Sequence, residues 1–348
     1  MTRHPELGFY TLGGQPESPR ELLDEVRLAE ELGFGTAFLS ERFSIKEAAC
    51  LTGAMGAITS ELGVATAATN HNTRHPAVTA AWATTMHRLT GGRFTLGLGR
   101  GLAPQLKAFG LPPTTTAQLE DFIGLMRRLW HGETVTGHDG PAGSWPALRL
   151  DPTFDEDIPV ALTAFGPQTL ALAGRAADAV VLHTFFTDET TARCVATVRE
   201  AAERAGRDPA AVRVWSCFAT VPDHLPEETR LKRTVARLAT YLQVYGDLLV
   251  RTNGWDPADL ERFRADPVVA GLGGWADVVA TRDEIEHLAT VLPADWLAPA
   301  ATGSPERCAA AVAAQLDLGV DGVIMHASTP AELAPVVESY GRTAPVPV

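Results

Sequence analysis

Short apolar runs alternate with helical patterns along this chain, and that alternation constrains the fold more than any other feature. The runs are Leu7–Leu12, Gly35–Leu39, Leu62–Thr69, Arg93–Gly99, Ile158–Ala164, Asp178–His183, Val212–Thr220 and Val320–His326. They are rich in Val, Leu, Ala and Phe without strict polar alternation, as expected of parallel strands buried on both faces. The intervening helices carry their own start and stop signals. Ser18-Pro19-Arg20-Glu21 offers an N-cap, a first-turn proline and a glutamate three residues on. Leu22, Val26, Ala29 and Leu32 then share one face, and Gly33 stops the helix. Leu119, Phe122, Ile123, Met126, Leu129 and Trp130 repeat the pattern, as do Cys194, Val195, Val198 and Ala202. Ser304-Pro305-Glu306-Arg307 starts a further helix, and Gly319 ends it. Eight such units and a last helix over 331–340 predict an α/β fold, a (β/α)8 TIM barrel. A doubly wound open sheet is the competing arrangement.

Two segments break the rhythm. Residues 131–157 are rich in Gly, Pro and Thr and read as a hairpin-like insertion. Residues 221–300 hold one clear helix through Glu227–Val250 and further helical or turn segments around Trp255, Trp275 and Trp296. No linker-like stretch bounds this second insertion. The expectation is a single domain over 1–348, with insertions at the carboxyl-terminal face and the longer one capping the barrel mouth.

Charge narrows the partners. A net charge of −13 gives no basic field to attract a nucleic-acid backbone or an acidic membrane. Lysine is nearly absent (Lys46, Lys107 and Lys232), so arginine carries most of the positive charge. MTRHPELGFY has no apolar run of the secretory-leader kind, and no segment reaches the ~18 apolar residues of a membrane span. Cys50, Cys194, Cys217 and Cys308 form no CxxC pair and sit in apolar patterns, so buried reduced thiols in a cytoplasmic protein are expected.

Chemistry in such a barrel gathers where strands end. Those ends supply Tyr10 to Gly14, Ser40-Glu41-Arg42, Asn70-His71-Asn72, Arg100 and Gln105, Phe165-Gly166, His183-Thr184, and His326. The GLGRG of Gly97–Gly101 invites a dinucleotide-binding reading, with Glu120 about 20 residues on. Leu102 replaces the third glycine, and Glu120 sits inside an amphipathic helix pattern, so that reading is rejected. His71 and His75 are four apart, but Pro76 makes the stretch a loop with no carboxylate cluster beside it. No metal site is expected.

LTGGRFTLGLGRG, preceded by TRHP and a helix with a Thr-rich end, resembles the luciferase-like flavin and deazaflavin oxidoreductases. AEELGFGTAFLSER is similar to the family's first helix and second strand. IPVALTAFGPQTLALAGRAADAVVL resembles its fifth and sixth strands, and TGSPERCAAAVAAQLDLGVDGVIMH its last helix–strand pair. The resemblance spans nearly the whole barrel and little of the cap. It implies binding of coenzyme F420, or alternatively FMN, at the barrel mouth.

The resemblance also implies where that cofactor lies. The strand ending at Thr69 would hold the ring, with a non-proline cis peptide near Ala65-Thr66 and small residues at Ala65, Ala67 and Ala68 letting the ring approach. Phe165-Gly166 would open a helix toward the cofactor phosphate. Arg100, Gln105, His183 and Thr184 would add donors.

Sugar-phosphate dehydrogenases of this family carry an acidic residue and a His after the second strand. Here the pair is Glu41-Arg42, and Leu102 stands where they carry another acidic residue. Two expected proton-transfer groups are missing, which argues against that substrate. Glu41 and Arg42 remain candidate catalytic residues, and His71 is the candidate general acid or base.

The implied activity is hydride transfer to or from an unknown small molecule by a homodimer. FMN would instead permit monooxygenation fed by a partner reductase. A flavin-free barrel lyase or aldolase using Glu41, Arg42 and His71, or a non-catalytic cofactor carrier, are the readings outside this class.

Overall fold

A computed structural model describes residues 3–343 of the chain. Eight parallel strands close on themselves, in the order β1 (His4–Tyr10), β2 (Phe34–Leu39), β3 (Gly63–Thr66), β4 (Phe94–Leu98), β7 (Val160–Thr163), β8 (Ala179–Val181), β9 (Arg213–Pro222) and β11 (Gly322–His326). The β8–β9 and β11–β1 pairings complete the ring. All eight expected runs supply a barrel strand, and the open-sheet alternative falls with the closure.

The helices begin where the caps predict. Ser18 and Glu21 form a reciprocal capping box, as do Thr115 and Gln118 ahead of the helix Thr116–Trp130. Ser304 caps Pro305–Asp317. The helices bury one stripe against the barrel, and the cap contributes Leu238, Leu249, Phe263 and Trp296 to the same continuous core. Inside the barrel a smaller cluster joins Phe38, Trp215, Val181, Cys217 and Ile324 to four alanines, Ala65, Ala67, Ala161 and Ala179. The two large rings meet edge to face at 5.0 Å, and the alanines opposite leave them room.

Four features differ from the sequence expectations. First, the insertion after Trp130 holds the hairpin β5 (Val135–Gly140) and β6 (Gly143–Leu148). It starts where a helix has returned to the amino-terminal end of the strands. His138 meets Asp121 and Trp145 meets His75, so the hairpin climbs the outside of the barrel.

Second, the cap ends in a ninth parallel strand, β10 (Ala300–Gly303), paired to Ala219–Pro222 of β9. Four small residues inside a helical region gave no strand signal.

Third, the expected continuous helix over 227–250 is broken. It runs as Glu227–Leu231, a wide turn at Lys232–Ala236, and Arg237–Asn253, whose Tyr245 has φ −149°. Fourth, Cys50 is exposed, whereas Cys194, Cys217 and Cys308 are buried.

Candidate active site

The β3–β4 side of the mouth is built from small residues and a closed polar network. β3 stops at Thr66, and the next segment bulges through a cis peptide between Ala67 and Ala68. The bond lies two residues beyond the expected position, because a run of small residues gives no register mark. The chain rejoins β4 through Thr69, whose N–H donates to Gly97 O and whose carbonyl accepts from Gly99 N, both at 2.9 Å. Glycine is required beneath the bulge: a Cβ on Gly97 would sit 1.6 Å from Thr66 O, and one on Gly99 2.8 Å from the Ala68 methyl. Thr66 turns its hydroxyl into this seam, donating to Gly97 O and accepting from Gly97 N at 2.8 Å each.

Glu41 anchors the bulge from outside. Its fully buried carboxylate accepts from Thr69 Oγ1 at 2.6 Å and Ala48 N at 3.0 Å, and pairs with Arg74. Arg74 also pairs with Glu47 and donates to Thr69 Oγ1 at 2.9 Å. The hydroxyls of Thr66 and Thr69 and the carboxylate of Glu41 are therefore engaged inside the protein.

Ala65 faces the barrel interior. His71 is buried against the edge of Phe122 at 5.6 Å, with no hydrogen-bond partner on either ring nitrogen. Desolvation pushes its pKa down to about 4, so the ring is neutral at physiological pH. Arg100 is exposed and donates to Thr116 Oγ1, and Gln105 is exposed on the short helix Ala103–Ala108.

The opposite side is aromatic and cationic. His183 Nδ1 donates to Thr184 O at 2.8 Å, which leaves Nε2 to accept from Tyr245 Oη at 2.9 Å. Burial holds its pKa down to about 4. Phe165 lies 4.4 Å from that ring, and Tyr241 stacks on Tyr245 at 5.6 Å. Thr184 Oγ1 meets Cys217 Sγ at 3.1 Å. Tyr10 packs edge-on against His326, whose Nδ1 is buried without a partner. Burial, then the charges of Arg237, His183, Arg42 and Lys46, hold the His326 pKa well below the usual imidazole range.

Among the described residues three non-glycines adopt positive φ, and each follows a barrel strand: Leu12 (51°), Phe185 (62°) and Ala327 (80°). Such strain concentrates at binding sites. The cap braces one of them, Asn253 Nδ2 donating to Phe185 O at 2.8 Å.

Sequence reasoning missed the cations here. Beside Phe165 and Pro167 a cavity of about 510 Å³ is lined by Arg193 and Arg251. It borders the helix Pro167–Ala176, which starts at Gly166. Arg193 and Arg251 sit inside or near the end of long helices, where the sequence offers no motif. Arg237 opens a cap helix and Lys46 lies in the turn after β2, and neither position carries a motif.

An eight-stranded barrel with a bulged third strand, a Gly-rich fourth and a helical cap over the mouth defines a TIM-barrel enzyme scaffold of the luciferase-like type. The model of the luciferase-like monooxygenase family matches residues 6–322, and the chain belongs to that family. It is 26% identical over 309 residues to a 5,10-methylenetetrahydromethanopterin reductase of Methanolobus tindarius, covering 86% of this chain and 87% of that protein. An F420-dependent glucose-6-phosphate dehydrogenase of Microbacterium testaceum is 31% identical over 185 residues, 49% of this chain and 55% of that one. Among solved structures, the coenzyme F420-dependent tetrahydromethanopterin reductase of Methanopyrus kandleri superposes with a TM-score of 0.79. It is 19% identical and covers 97% of this chain and 98% of its own, a likeness of fold.

Proposed function

We propose that this chain is an oxidoreductase using coenzyme F420 for hydride transfer to or from a small organic substrate. The observation that carries the reading is the junction at Phe165. There the aromatic side of the mouth, with His183 and Tyr245, borders the 510 Å³ cavity lined by Arg193 and Arg251. A planar ring needs a flat apolar wall, and an anionic tail needs positive charge and free donors. The Ala65–Ala68 segment supplies the first, and the cavity beside Phe165 supplies the charge. The two curated relatives support the choice, since one is a reductase of a pterin substrate and the other is F420-dependent by name.

When bound, the deazaflavin supplies a hydride donor or acceptor. The chain's own residues hold and shield it. Ala65, Ala67 and Ala68 offer the wall, with Glu41, Thr69 and Arg74 fixing its shape from behind. Gly166, Arg193 and Arg251 receive the tail. Phe165, His183 and Thr184 line the passage between, and the cap over 221–300 excludes water. His71, neutral and with both nitrogens unpaired, is the group free to accept a proton on the β3 side.

Titrating the purified protein with F420 and with FMN, each followed by fluorescence quenching, tests the reading. Tighter F420 binding is expected. Tighter FMN binding would replace it with a monooxygenase served by a reductase, and binding of neither would leave the flavin-free lyase.

A homodimer belongs to the same proposal. The helix Ala48–Ile58 carries no charged residue, and the helix Pro76–Thr90 exposes Val78, Ala81, Thr85 and Leu89 along one face. Light scattering on a sizing column should give twice the chain mass. No helix among the described residues is long and apolar enough to cross a membrane.

A further inference from the structure

The mouth carries a second cationic cluster, away from the Arg193–Arg251 cavity and without enough carboxylate to balance it. After β2 the chain makes a tight turn in which Arg42 N donates to Lys46 O at 2.9 Å and Lys46 N to Arg42 O at 2.7 Å. The turn lays both side chains on the loop after β1. Lys46 Nζ donates to Leu12 O at 2.9 Å and Arg42 Nη1 to Gly14 O at 2.6 Å. Both partners are carbonyls, and among the described residues neither cation has an ion pair within 4.0 Å. Most of their N–H donors are left for another ligand.

Arg237, at the start of the cap helix, is the third cation. It pairs with Asp277 at 2.7 Å and lies 5.8 Å from the Tyr241 ring. Glu25, whose charge reaches Lys46, is committed to Thr11 Oγ1 and Leu12 N at 2.6 and 2.7 Å. The neighbouring imidazole of His326 is neutral and has an unpaired Nδ1. Burial first, then the Arg42 and Arg237 charges against the opposing charge of Glu25, brings the Lys46 ammonium down to about 7.

Arg237 and Arg251 stand near opposite ends of Arg237–Asn253, on either side of its kink at Tyr245. Tyr241 and Tyr245 stack between them. The Arg251 end serves the tail of the proposed cofactor, so the Arg237 end is left for something else. We infer that the substrate carries an oxyanion, a carboxylate or a phosphoryl group, that docks between Arg42 and Arg237 with Lys46 beneath it. This rests on the oxidoreductase reading for the reaction but not for the binding.

Calorimetry on the F420-loaded protein tests it, with malonate, inorganic phosphate and the neutral propane-1,3-diol as probes. At least one anion should bind tenfold or more tightly than the diol, and the better anion tells carboxylate from phosphoryl. Arg42→Gln should weaken that anion about tenfold while F420 affinity moves less than threefold. Arg251→Gln should do the reverse. Lys46→Met supplies a second variant should Arg42→Gln lower the melting temperature. Equal binding of anions and diol overturns the inference. So does an Arg42→Gln protein that keeps its anion affinity, or one that loses F420 affinity instead, since the cations would then serve the cofactor. If neither F420 nor FMN binds but the anion and its dependence on Arg42 persist in the free protein, the cofactor reading falls and this site stands.

Discussion

The two sides of the mouth are built on opposite plans. On the β3–β4 side nearly every polar group is spent within the protein: Thr66 on Gly97, and Glu41 on Thr69, Ala48 and Arg74. On the side formed by β1, β2, β8, β11 and the cap, polar groups stay incompletely paired, as with Arg42, Lys46 and His326 Nδ1. A satisfied network fixes a shape, while an unsatisfied one waits for a ligand to complete it. The first side is read as the cofactor wall and the second as the place where substrate is recognised. His71 and its neighbour Asn72 are exceptions on this side: both ring nitrogens of the first and Oδ1 of the second are buried without a partner.

The largest expected effect breaks the shape. Gly97→Ala puts a methyl 1.6 Å from a backbone oxygen that has nowhere to move. A loss of about 4 kcal/mol or more is expected, seen as a lower urea midpoint or as failure to fold. An unchanged midpoint would show that the bulge is free to shift. Arg74→Met comes next. It strands the fully buried Glu41 carboxylate, which should cost about 3–5 kcal/mol. Because Glu41 holds Thr69, cofactor affinity should fall with stability. A stable variant with normal F420 binding would separate the network from the site.

On the open plan, a cation can be removed with less harm to the fold. Arg251→Gln should leave the melting temperature within a few degrees and weaken F420 about tenfold, the loss of one charge-assisted contact of about 1.4 kcal/mol. Equal binding by variant and wild type would take the cofactor tail out of that cavity.

The same contrast decides what was legible in the sequence. The β3–β4 side comes from one continuous stretch, 62–101, whose glycines and alanines announce a tight approach of backbones. Strands buried on both faces and helices with caps are local patterns, so the barrel could be read from them. Even there, the run of small residues from Ala65 to Ala68 hid the register of the bulge by two residues. The other side draws on residues 10, 42, 46, 183, 237, 241, 245 and 326, which no local pattern links. Only closure of the barrel and the fold of the cap bring them together. The cap's break at Tyr245 was invisible because the helical spacing of apolar residues continues through it. Arg193 and Arg251 read as ordinary helix-surface charges until the helix after β7 is seen beside them.

The smallest effect at neutral pH concerns the two buried histidines, one on each side. His71 and His183 both have pKa values near 4 in the folded protein, against about 6.5 when unfolded. Between those values the unfolded chain binds protons that the folded chain does not, so stability falls as pH falls from 6.5 to 4. Each ring contributes about 1.4 kcal/mol per pH unit across that window, and none above it. The neutral His326 adds in the same direction. The two rings part company when replaced. His71→Phe removes a ring with no hydrogen bonds, so at pH 7 the urea midpoint should barely change, while the acid slope drops by one histidine's share. His183→Phe should lower the slope equally but lose about 1–2 kcal/mol at pH 7, because it abandons Thr184 O and Tyr245 Oη. A His71→Phe protein destabilised at pH 7 would mean that His71 has a partner, and Asn72 Oδ1 would be left as the unpaired group of that loop.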